Sequence, residues 1–293
     1  MNTIAILGAG QMGSGIAHVC ALAGFSTLLY DNQAAALPQA LQNIAANLAR
    51  QVKKQSISNA QATAAQANIQ TQTAIGSWLS AADFIIEAVS EDRAIKQALY
   101  QQVRPYVAAD AIFASNTSSY AIGTLAAATP NAANFIGMHF MNPVPMMPLV
   151  EIITATGTSE HAYQQTQALA QKLGKQTIRA ADRPGFITNR VLFPLLNEAA
   201  HVLHEGTGNV CDIDNAMKLG MNHPMGPLAL ADFIGLDTCL AILNVLYEGL
   251  QEEKFRPCPL FAELVAAGCL GRKSGVGFYD YRTDTVQPAA RFG

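Results

Sequence analysis

Residues 3–31 read TIAILGAGQMGSGIAHVCALAGFSTLLYD, and this stretch decides the fold of the first half of the chain. The apolar run at 3–7 predicts a buried strand, and the run at 25–30 predicts a second one. The residues at 12–23 have helical character, and Gly24 supplies the stop that commonly follows a helix. A strand, a helix and a second strand in this order predict the start of a parallel α/β sheet.

The segment that joins the first strand to the helix has the pattern Gly-x-Gly-x-x-Gly, which is typical of dinucleotide-binding turns. The first glycine permits the tight turn, the second lets a pyrophosphate approach the backbone, and the third lets the helix pack on the strand. The N-terminus of the helix adds free N–H groups for the phosphates. The residues expected to contact a cofactor here are Gly8, Gly10, Gln11, Met12 and Gly13.

Asp31 ends the second strand, at about the distance from the glycine turn where dinucleotide-binding domains place an acidic residue. Such a carboxylate accepts hydrogen bonds from ribose hydroxyls and repels a 2′-phosphate. Since no arginine lies between Asn32 and Ala36 to bind a 2′-phosphate, the sequence predicts NAD as the cofactor and not NADP. Two alternatives are a glycine turn in an unrelated α/β fold and an FAD site, although only one nucleotide motif is present.

Beyond this stretch the chain divides into a part that alternates strands with helices and a part that is almost entirely helical. The alternation predicts a mainly parallel sheet covered by helices. The character of the sequence changes at the Arg-Pro-Gly segment 183–185. We therefore predict an α/β fold with an N-terminal Rossmann-type domain at 1–182, a linker at 183–185 and an all-α C-terminal domain at 186–293.

The composition excludes several classes of protein. Half of the 293 residues are hydrophobic and 13% are charged, which is sufficient apolar material for packed cores. The net charge of −3 and the lack of a basic run argue against a nucleic-acid partner. No uncharged apolar run reaches the length of a membrane span. Five scattered cysteines, odd in number and without a Cys-x-x-Cys pair, favour the cytoplasm and predict no metal site.

Two titratable residues lie in predicted strands and suit proton transfer. His139 is near the end of one strand, and an imidazole titrates near neutral pH. Glu151 stands among apolar residues in the next strand, where an unpaired charge would be costly. If the two side chains pair, the carboxylate would orient the ring and raise its pKa. Alternatively, His139 is a structural residue and Glu151 is a carboxylate on an edge strand that faces water.

Several motifs together resemble one known family. They are Ser-Asn-Thr-Ser-Ser at 115–119, His-Phe-Met-Asn-Pro at 139–143, Pro-Gly-Phe-Ile-Thr-Asn-Arg at 184–190, Pro-Met-Gly-Pro at 224–227 and Gly-Arg-Lys-Ser-Gly at 271–275. In this order, and over nearly the whole chain, they resemble the 3-hydroxyacyl-CoA dehydrogenase family, most closely its short monofunctional 3-hydroxybutyryl-CoA-type enzymes. The resemblance implies NAD-dependent oxidation of a (3S)-3-hydroxyacyl-CoA, and the reverse reaction.

The resemblance also implies roles for individual residues. His139 would be the general base for the C3 hydroxyl and Glu151 its electrostatic partner, while Ser118 and Asn189 would hold the reacting oxygen and the thioester end of the substrate. Further positions that match cofactor contacts are Glu91, Lys96, Ser118, Asn142 and Lys273. Asn47 and Lys54 match positions that contact CoA, and the family often has serine at the first of these.

The alternatives for these positions are structural. Ser118 and Asn116 could cap the next helix, Asn189 could be a turn residue, and the three lysines could be solvated surface charges. The substrate could instead be a free hydroxy acid or a dicarboxylic ester such as 3-hydroxyadipyl-CoA, and a non-catalytic protein on the same scaffold is a further alternative. The family resemblance also implies a homodimer formed through the C-terminal domain.

Overall fold

The computed structural model describes residues 1–292 and divides into two compact units. The first unit is Met1–Arg183, and the second begins at Pro184. The first unit contains one large sheet, and the second consists mainly of helices. The α/β class of the first part and the helical character of the second are therefore as the sequence predicts.

The first unit has an eight-stranded sheet in the order β3-β2-β1-β4-β5-β6-β7-β8. Neighbouring strands are parallel except for the pair β6 and β7, which is antiparallel. The strands are β1 Thr3–Leu7, β2 Ser26–Tyr30, β3 Ile69–Gln72, β4 Phe84–Glu87, β5 Ile112–Ser115, β6 Phe135–Phe140, β7 Leu149–Thr154 and β8 Gln176–Ala181. The helices are α1 Gln11–Leu22, α2 Ala36–Lys53, α3 Asn59–Ala67, α4 Arg93–Val103, α5 Ile122–Ala126 and α6 Glu160–Lys172.

The core of this unit forms where apolar strands meet the helices on the sheet. The strand β4 is buried at every residue, as expected of a central strand covered on both faces. Ile44 and Leu48 of α2 belong to the same core, whereas most residues between them are partly or fully exposed. This spacing of apolar residues packs α2 against the unit through one face.

The sequence does not predict the strand β3, because the Gln- and Ala-rich tract that continues to about residue 72 indicates helices and has no clear strand signal. The helical part is present as α3, but Ile69–Gln72 pairs in parallel with β2 at the edge of the sheet. Its sequence, Ile-Gln-Thr-Gln, is mainly polar, and its central residues are exposed. An edge strand needs little apolar material, and for this reason hydrophobicity does not reveal it.

The second unit packs its helices around an apolar core of its own, which includes Phe193, Leu228, Leu243 and Phe261. Its helices are α7 Thr188–His204, α8 Val210–Asn215, α9 Pro227–Ile234, α10 Leu236–Leu250 and α11 Pro259–Ala266. A short antiparallel hairpin, β9 Tyr279–Asp280 and β10 Gln287–Pro288, follows α11. The second part is thus helical with one small hairpin that the all-α prediction lacks.

Across residues 1–292, no single helix combines the length and the apolarity that crossing a membrane requires. The helices α9 and α10 meet those limits only when taken together, and the chain bends by 99° between them.

Candidate functional site

Several predicted site residues of the first unit lie at or just after the carboxyl ends of neighbouring parallel strands. The glycine turn follows β1, Glu91 follows β4, and Ser118 follows β5. His139 is the next-to-last residue of β6. Because parallel strands end at the same edge of a sheet, these groups share one edge, which is where open α/β sheets bind ligands.

The glycine turn leaves room for a ligand by lacking side chains. Gly8 has a φ of +109°, and a Cβ atom there would lie 2.5 Å from the carbonyl oxygen of Ala88. A Cβ atom at Gly13 would overlap the carbonyl of Gly8, so the helix can approach the strand only through glycine. At Gly10 nothing lies within 4 Å of an added Cβ, so this backbone is open to a ligand.

Gly10 is also the N-cap of α1, and no side chain caps this helix. The first N–H groups of a helix lack intrahelical partners and attract anions. Of the other predicted contacts in the turn, Gln11 is exposed, and its Nε2 donates to Oδ1 of Asn142 at 3.2 Å. Met12 is partly buried and packs against the core. The turn therefore offers backbone N–H groups and one amide to a phosphate-bearing ligand.

Asp31 holds the glycine turn and borders a cavity of about 490 Å³. Its Oδ2 accepts a hydrogen bond from the N–H of Ala9 at 2.8 Å, and its Oδ1 accepts one from Gln33 at 2.8 Å. Gly8, Gly10 and Tyr30 line the same cavity. A glycine turn with an acidic residue beside one cavity fits the adenosine half of a dinucleotide such as NAD.

His139 and Glu151 form a pair on neighbouring strands. They lie directly opposite each other in the antiparallel pairing of β6 and β7, which places their side chains on the same face of the sheet. The distance from Nδ1 of His139 to Oε2 of Glu151 is 2.8 Å. Glu151 is fully buried, and its strand lies between β6 and β8. The alternative of an edge-strand carboxylate that faces water is therefore wrong.

Glu91 holds the segment that carries Ser118. Its Oε1 accepts hydrogen bonds from the hydroxyl of Thr117 at 2.5 Å and from the N–H groups of Ser118 and Ser119 at 3.0 Å each. Its Oε2 lies 3.1 Å from Nζ of Lys96. Burial opposes ionisation of Glu91, but the nearby Lys96 charge and these donors outweigh it and hold the pKa of the carboxyl below its ordinary value.

Lys96 is buried, with 1% of its surface exposed, so the alternative of a solvated surface lysine is wrong for this residue. Its Nζ also lies 2.7 Å from Oε1 of Glu87. Burial alone would lower the pKa of Lys96, but the carboxylates of Glu87 and Glu91 raise it above its ordinary value. The ammonium therefore stays charged and connects the ends of β4 and of the segment that follows it.

Glu87 contacts the same lysine as Glu91, but it was not predicted from the sequence. It is fully buried at the end of β4 and accepts hydrogen bonds from the hydroxyls of Tyr100 and Ser115, both at 2.7 Å. The signal for it is present in the sequence, since an acidic residue closes the apolar run Phe-Ile-Ile-Glu. A buried carboxylate needs partners, and the same reasoning that pointed to Glu151 applies here.

The alternative in which Ser118 or Asn116 caps the next helix is wrong. The N-cap of α5 is Ala121, and the carboxylate of Asp182 accepts from the first N–H groups of this helix, at Ile122 and Gly123. Asn116 instead accepts a hydrogen bond from the N–H of Phe140 at 2.9 Å, which ties its loop to the strand of His139.

Asn47 and Lys54 line a second cavity, of about 730 Å³, which we call the basic cavity. Its other cationic residues are Arg50, Lys172 and Lys175, and none of its lining residues is acidic. Asn47 accepts a hydrogen bond from Arg50 at 2.5 Å. Arg50 lies on α2 between Asn47 and Lys54, but it was not predicted from the sequence. Lys172 and Lys175 have no signal in the sequence, because only the fold brings the end of α6 to the same cavity as α2.

The remaining predicted residues belong to the second unit. Asn189 is the second residue of α7 and is partly buried. Lys273 lies in a short turn, and its Nζ donates to Oδ2 of Asp237 at 2.7 Å. Their roles toward substrate and cofactor stay predictions. Within residues 1–292, no group of three or more His, Cys, Asp and Glu side chains could hold a metal ion.

Family models match both halves of the chain. The model described as 3-hydroxyacyl-CoA dehydrogenase, NAD binding domain, matches residues 3–183. The model described as 3-hydroxyacyl-CoA dehydrogenase, C-terminal domain, matches residues 185–281. The two matches are consecutive and together span most of the chain.

Similar proteins cover nearly the full length. A 3-hydroxybutyryl-CoA dehydrogenase from Bradyrhizobium diazoefficiens is 49% identical over 282 residues, 96% of each chain. A probable 3-hydroxybutyryl-CoA dehydrogenase from Bacillus subtilis is 47% identical over 97% of this chain and 99% of its own. The crystal structure of an (S)-3-hydroxybutyryl-CoA dehydrogenase from Ralstonia eutropha is 46% identical, with a TM-score of 0.94, and the match covers 97% of this chain and all of that one.

Proposed function

The chain belongs to the 3-hydroxyacyl-CoA dehydrogenase family, and on this premise we propose that it oxidises a (3S)-3-hydroxyacyl-CoA to the 3-ketoacyl-CoA with NAD, and catalyses the reverse. We propose a short-chain ester such as 3-hydroxybutyryl-CoA as the substrate, because the similar proteins are named for it. The observation that carries the chemistry is the buried pair of His139 and Glu151 at the edge of the sheet where the glycine turn lies.

His139 is the general base in this proposal. Glu151 binds Nδ1 and so fixes the orientation of the ring, which directs Nε2 on the opposite side toward the C3 hydroxyl. As His139 takes the hydroxyl proton it becomes positively charged, and the adjacent carboxylate stabilises that charge. In the reverse direction the imidazolium returns the proton to the 3-keto oxygen. A well-placed general base contributes on the order of 10²–10⁴ to the rate.

NAD, when bound, accepts the hydride from C3 at its nicotinamide ring. The glycine turn and the N-terminus of α1 would hold its pyrophosphate, and Asp31 would hold the adenine ribose. We propose that Asn142 and Ser118 contact the nicotinamide side, and that the partly exposed carboxylate of Glu91 does so as well. Because Lys96 is buried, we assign it an indirect role, in which it keeps Glu91 ionised and in place.

The basic cavity supports a CoA ester over a free hydroxy acid. CoA carries several phosphate charges at its nucleotide end, and the cationic residues of the cavity have no acidic neighbour among its lining residues. A free hydroxy acid has no phosphate groups to place in such a site. We propose that Asn47, Arg50 and Lys54 of the α2 side bind the nucleotide end of CoA.

We also propose a homodimer formed through the second unit. Large apolar side chains are exposed on this unit, and Leu219, Met221 and Phe233 each expose more than half of their surface. Exposed apolar side chains that lie close together, as Leu219 and Met221 do in the chain, are typical of surfaces covered by a partner. The five free cysteines support the cytoplasm as the compartment in which the protein works.

The test follows the loss of NADH absorbance with acetoacetyl-CoA, acetoacetate and 3-ketoadipyl-CoA, and repeats it with NADPH. We expect turnover of acetoacetyl-CoA with NADH and none with acetoacetate. We expect His139→Gln to lose roughly 10²–10⁴ in kcat while it still binds NADH. His161→Gln, at an exposed position on α6, is the matched control and should be fully active.

Other outcomes would replace the proposal. Turnover of acetoacetate in preference to the ester would indicate a free hydroxy acid as the substrate, and a preference for 3-ketoadipyl-CoA would indicate a dicarboxylic ester. NADH binding without turnover of any of the three would indicate a protein that has kept the scaffold without the activity. Full activity in His139→Gln would remove the histidine from the mechanism.

A further inference from the structure

The segment 141–148, which we call the proline loop, connects β6 to β7 and thus the strands that carry His139 and Glu151. One side of the loop contacts α1. Val144 is buried, and its Cβ would lie 2.9 Å from a Cβ at Gly15, so α1 approaches the loop only because residue 15 is glycine. Any shift of the proline loop would therefore be felt both at the catalytic pair and at the helix that begins with the glycine turn.

The other side of the proline loop forms part of the basic cavity. Four of its residues line that cavity together with α2 and the end of α6, namely Pro143, Pro145, Met146 and Pro148. The proline loop is therefore a wall of the basic cavity, where we propose that the substrate phosphates bind. It is also the connection within the hairpin that carries His139 and Glu151. The contacts that hold the proline loop in place therefore decide whether ligand binding in the basic cavity affects the hairpin of His139 and Glu151.

Lys175 holds the wall. It lies just before β8, is 8% exposed, and donates from Nζ to the carbonyl oxygens of Val144 at 2.6 Å and Met147 at 2.8 Å. Burial lowers its pKa. The ion pairs within residues 1–292 include none to Lys175, so its positive charge is buried without a compensating carboxylate.

An uncompensated buried ammonium is costly, and two neutral carbonyls do not cancel its charge. If the only task of residue 175 were to hold the loop, a neutral donor would serve at lower cost. An ammonium has three N–H donors, and the two carbonyls use two of them. Because Lys175 also lines the basic cavity, an anion bound there would both neutralise the charge and take the third donor.

Resting on the proposed use of a CoA ester, we propose that Lys175 is a positioning residue that couples phosphate binding in the basic cavity to the position of the proline loop. When a substrate phosphate binds the third N–H, the ammonium holds Val144 and Met147 firmly, and the loop then fixes the hairpin of His139 and Glu151. The nucleotide end of the substrate thus contributes to kcat, and not only to affinity. This is the general behaviour of remote binding energy that is used to order the reacting groups.

The test separates the substrate into two pieces. S-acetoacetyl-N-acetylcysteamine supplies the reacting thioester without the nucleotide, and adenosine 3′,5′-bisphosphate supplies phosphates without the thioester. We expect the bisphosphate to raise the kcat of the wild-type protein for the truncated thioester at least about fivefold, the lower range of typical coupling between sites. In Lys175→Met this activation should disappear, whereas Lys53→Met, which removes an exposed lysine that does not line the cavity, should keep it.

A second readout does not depend on turnover. The N–H groups of Met146 and Met147 both donate to the carbonyl of Pro143 at 3.0 Å within the loop. Adenosine 3′,5′-bisphosphate should slow hydrogen exchange of these amides in the wild-type protein and leave it unchanged in Lys175→Met. A lysine that only stabilised the fold would change the melting temperature without creating this response to the bisphosphate.

Several outcomes would overturn the coupling. The first is that the bisphosphate does not change the turnover of the truncated thioester, or the hydrogen exchange of the loop, in the wild-type protein. The second is that Lys175→Met responds to the bisphosphate as the wild type does. If Lys175→Met does not fold, a wild-type protein that does not respond to the bisphosphate still overturns the coupling. Failure of the dehydrogenase proposal has a different signature, since the wild-type protein would then not reduce intact acetoacetyl-CoA at all.

Discussion

The glycine turn and the basic cavity both belong to the first unit, and we propose that both receive phosphates, but they are built in opposite ways. The turn offers backbone: Gly8, Gly10 and Gly13 have no side chains, and the uncapped N-terminus of α1 follows. The basic cavity offers side-chain charge, with cations from α2 and from the end of α6 and no acidic lining residue. One site depends on the absence of side chains, and the other depends on several positive charges close together.

The contrast predicts different sensitivities. A site that depends on the absence of side chains fails when a single methyl group is added, and dissolved salt does not restore or weaken that steric effect. A site that depends on partly exposed charges tolerates the loss of one of them, but it weakens as salt screens the rest. Substitutions in the two regions should therefore differ in size and in their dependence on ionic strength.

The largest effect is expected at Gly13. In Gly13→Ala the added methyl group would overlap the carbonyl of Gly8, so the packing of α1 on β1 must shift, at a cost of about 3 kcal/mol of unfolding free energy. Gly10→Ala is the matched control, because nothing lies within 4 Å of its added Cβ. It should keep the melting temperature, yet block the approach of the pyrophosphate and weaken NADH binding roughly 10- to 100-fold.

The fluorescence of Trp78, the single tryptophan of the chain, can report NADH binding in both variants. The ring of Trp78 lies 6.2 Å from that of Tyr30, which lines the cavity beside the glycine turn, so bound NADH should quench its fluorescence. Thermal unfolding gives the stability in parallel. If Gly10→Ala lost as much stability as Gly13→Ala, or bound NADH normally, the division between packing and ligand approach would be wrong.

The next largest effect is on the free energy of unfolding, and it concerns a histidine of α1 that lines the basic cavity. His18 lines the cavity and is 1% exposed. Burial lowers its pKa from 6.5 to about 4, and the positive charge of Lys175 contributes in the same direction. The unfolded chain therefore takes up the proton first as pH falls. His18 contributes its full stability above about pH 6.5 and loses about 3 kcal/mol of it as pH falls toward 4.

Replacing His18 with glutamine removes the titration and keeps an amide that can bond to Gln51, the present partner of the ring at 3.2 Å. The difference in unfolding free energy between the wild type and His18→Gln should therefore change by about 3 kcal/mol between pH 7 and pH 4. Urea unfolding at a series of pH values measures it. A difference that stays constant with pH would show that the ring titrates normally in the folded protein.

The two regions also show what could be predicted from the sequence. The glycine turn is contiguous in the chain, and Asp31 follows at a recognisable spacing, so steric and electrostatic rules identify it directly. The basic cavity combines α2, α6 and the proline loop, which are far apart in the chain. Asn47 and Lys54 came from the family resemblance, while Lys175 becomes visible only when the fold brings its ammonium to the loop carbonyls.

The fold followed the same division. The strands β1 and β2 are apolar runs and were predicted, whereas the edge strand β3 is polar and was not. His139 and Glu151 were singled out separately, and only the antiparallel register of β6 and β7 brings them to 2.8 Å. The hydrogen bonds that Glu87 makes in its buried cluster depend on three chain segments, so they too were beyond sequence patterns, although the isolated acidic residue was a usable signal.

A smaller effect is expected when charge, and not volume, changes at the glycine turn. Asp31→Asn keeps an acceptor for the N–H of Ala9 or Gln33 but removes the negative charge that would repel a 2′-phosphate. We expect the preference for NADH over NADPH, measured as the ratio of kcat/KM values, to fall roughly tenfold, since bonds to charged groups contribute ~1.5–3 kcal/mol. Asp110→Asn, at an exposed position outside this cavity, should leave the ratio unchanged. An unaltered ratio in Asp31→Asn would mean that cofactor choice rests elsewhere.

The smallest effect distinguishes the two regions most directly. Lys54 lines the basic cavity and is exposed, whereas its exposed neighbour Lys53 does not line it. Lys54→Met should raise the KM for acetoacetyl-CoA roughly fivefold, since an exposed ion pair contributes up to ~1 kcal/mol, and Lys53→Met should not change it. Because exposed charges are screened within about 10 Å at ~0.1 M salt, the difference between the two variants should shrink as salt is added, while the KM for NADH stays nearly constant. If the KM for NADH rose with salt as steeply as the KM for the ester, the cofactor too would be held by side-chain charge, and the turn would not differ from the cavity in kind.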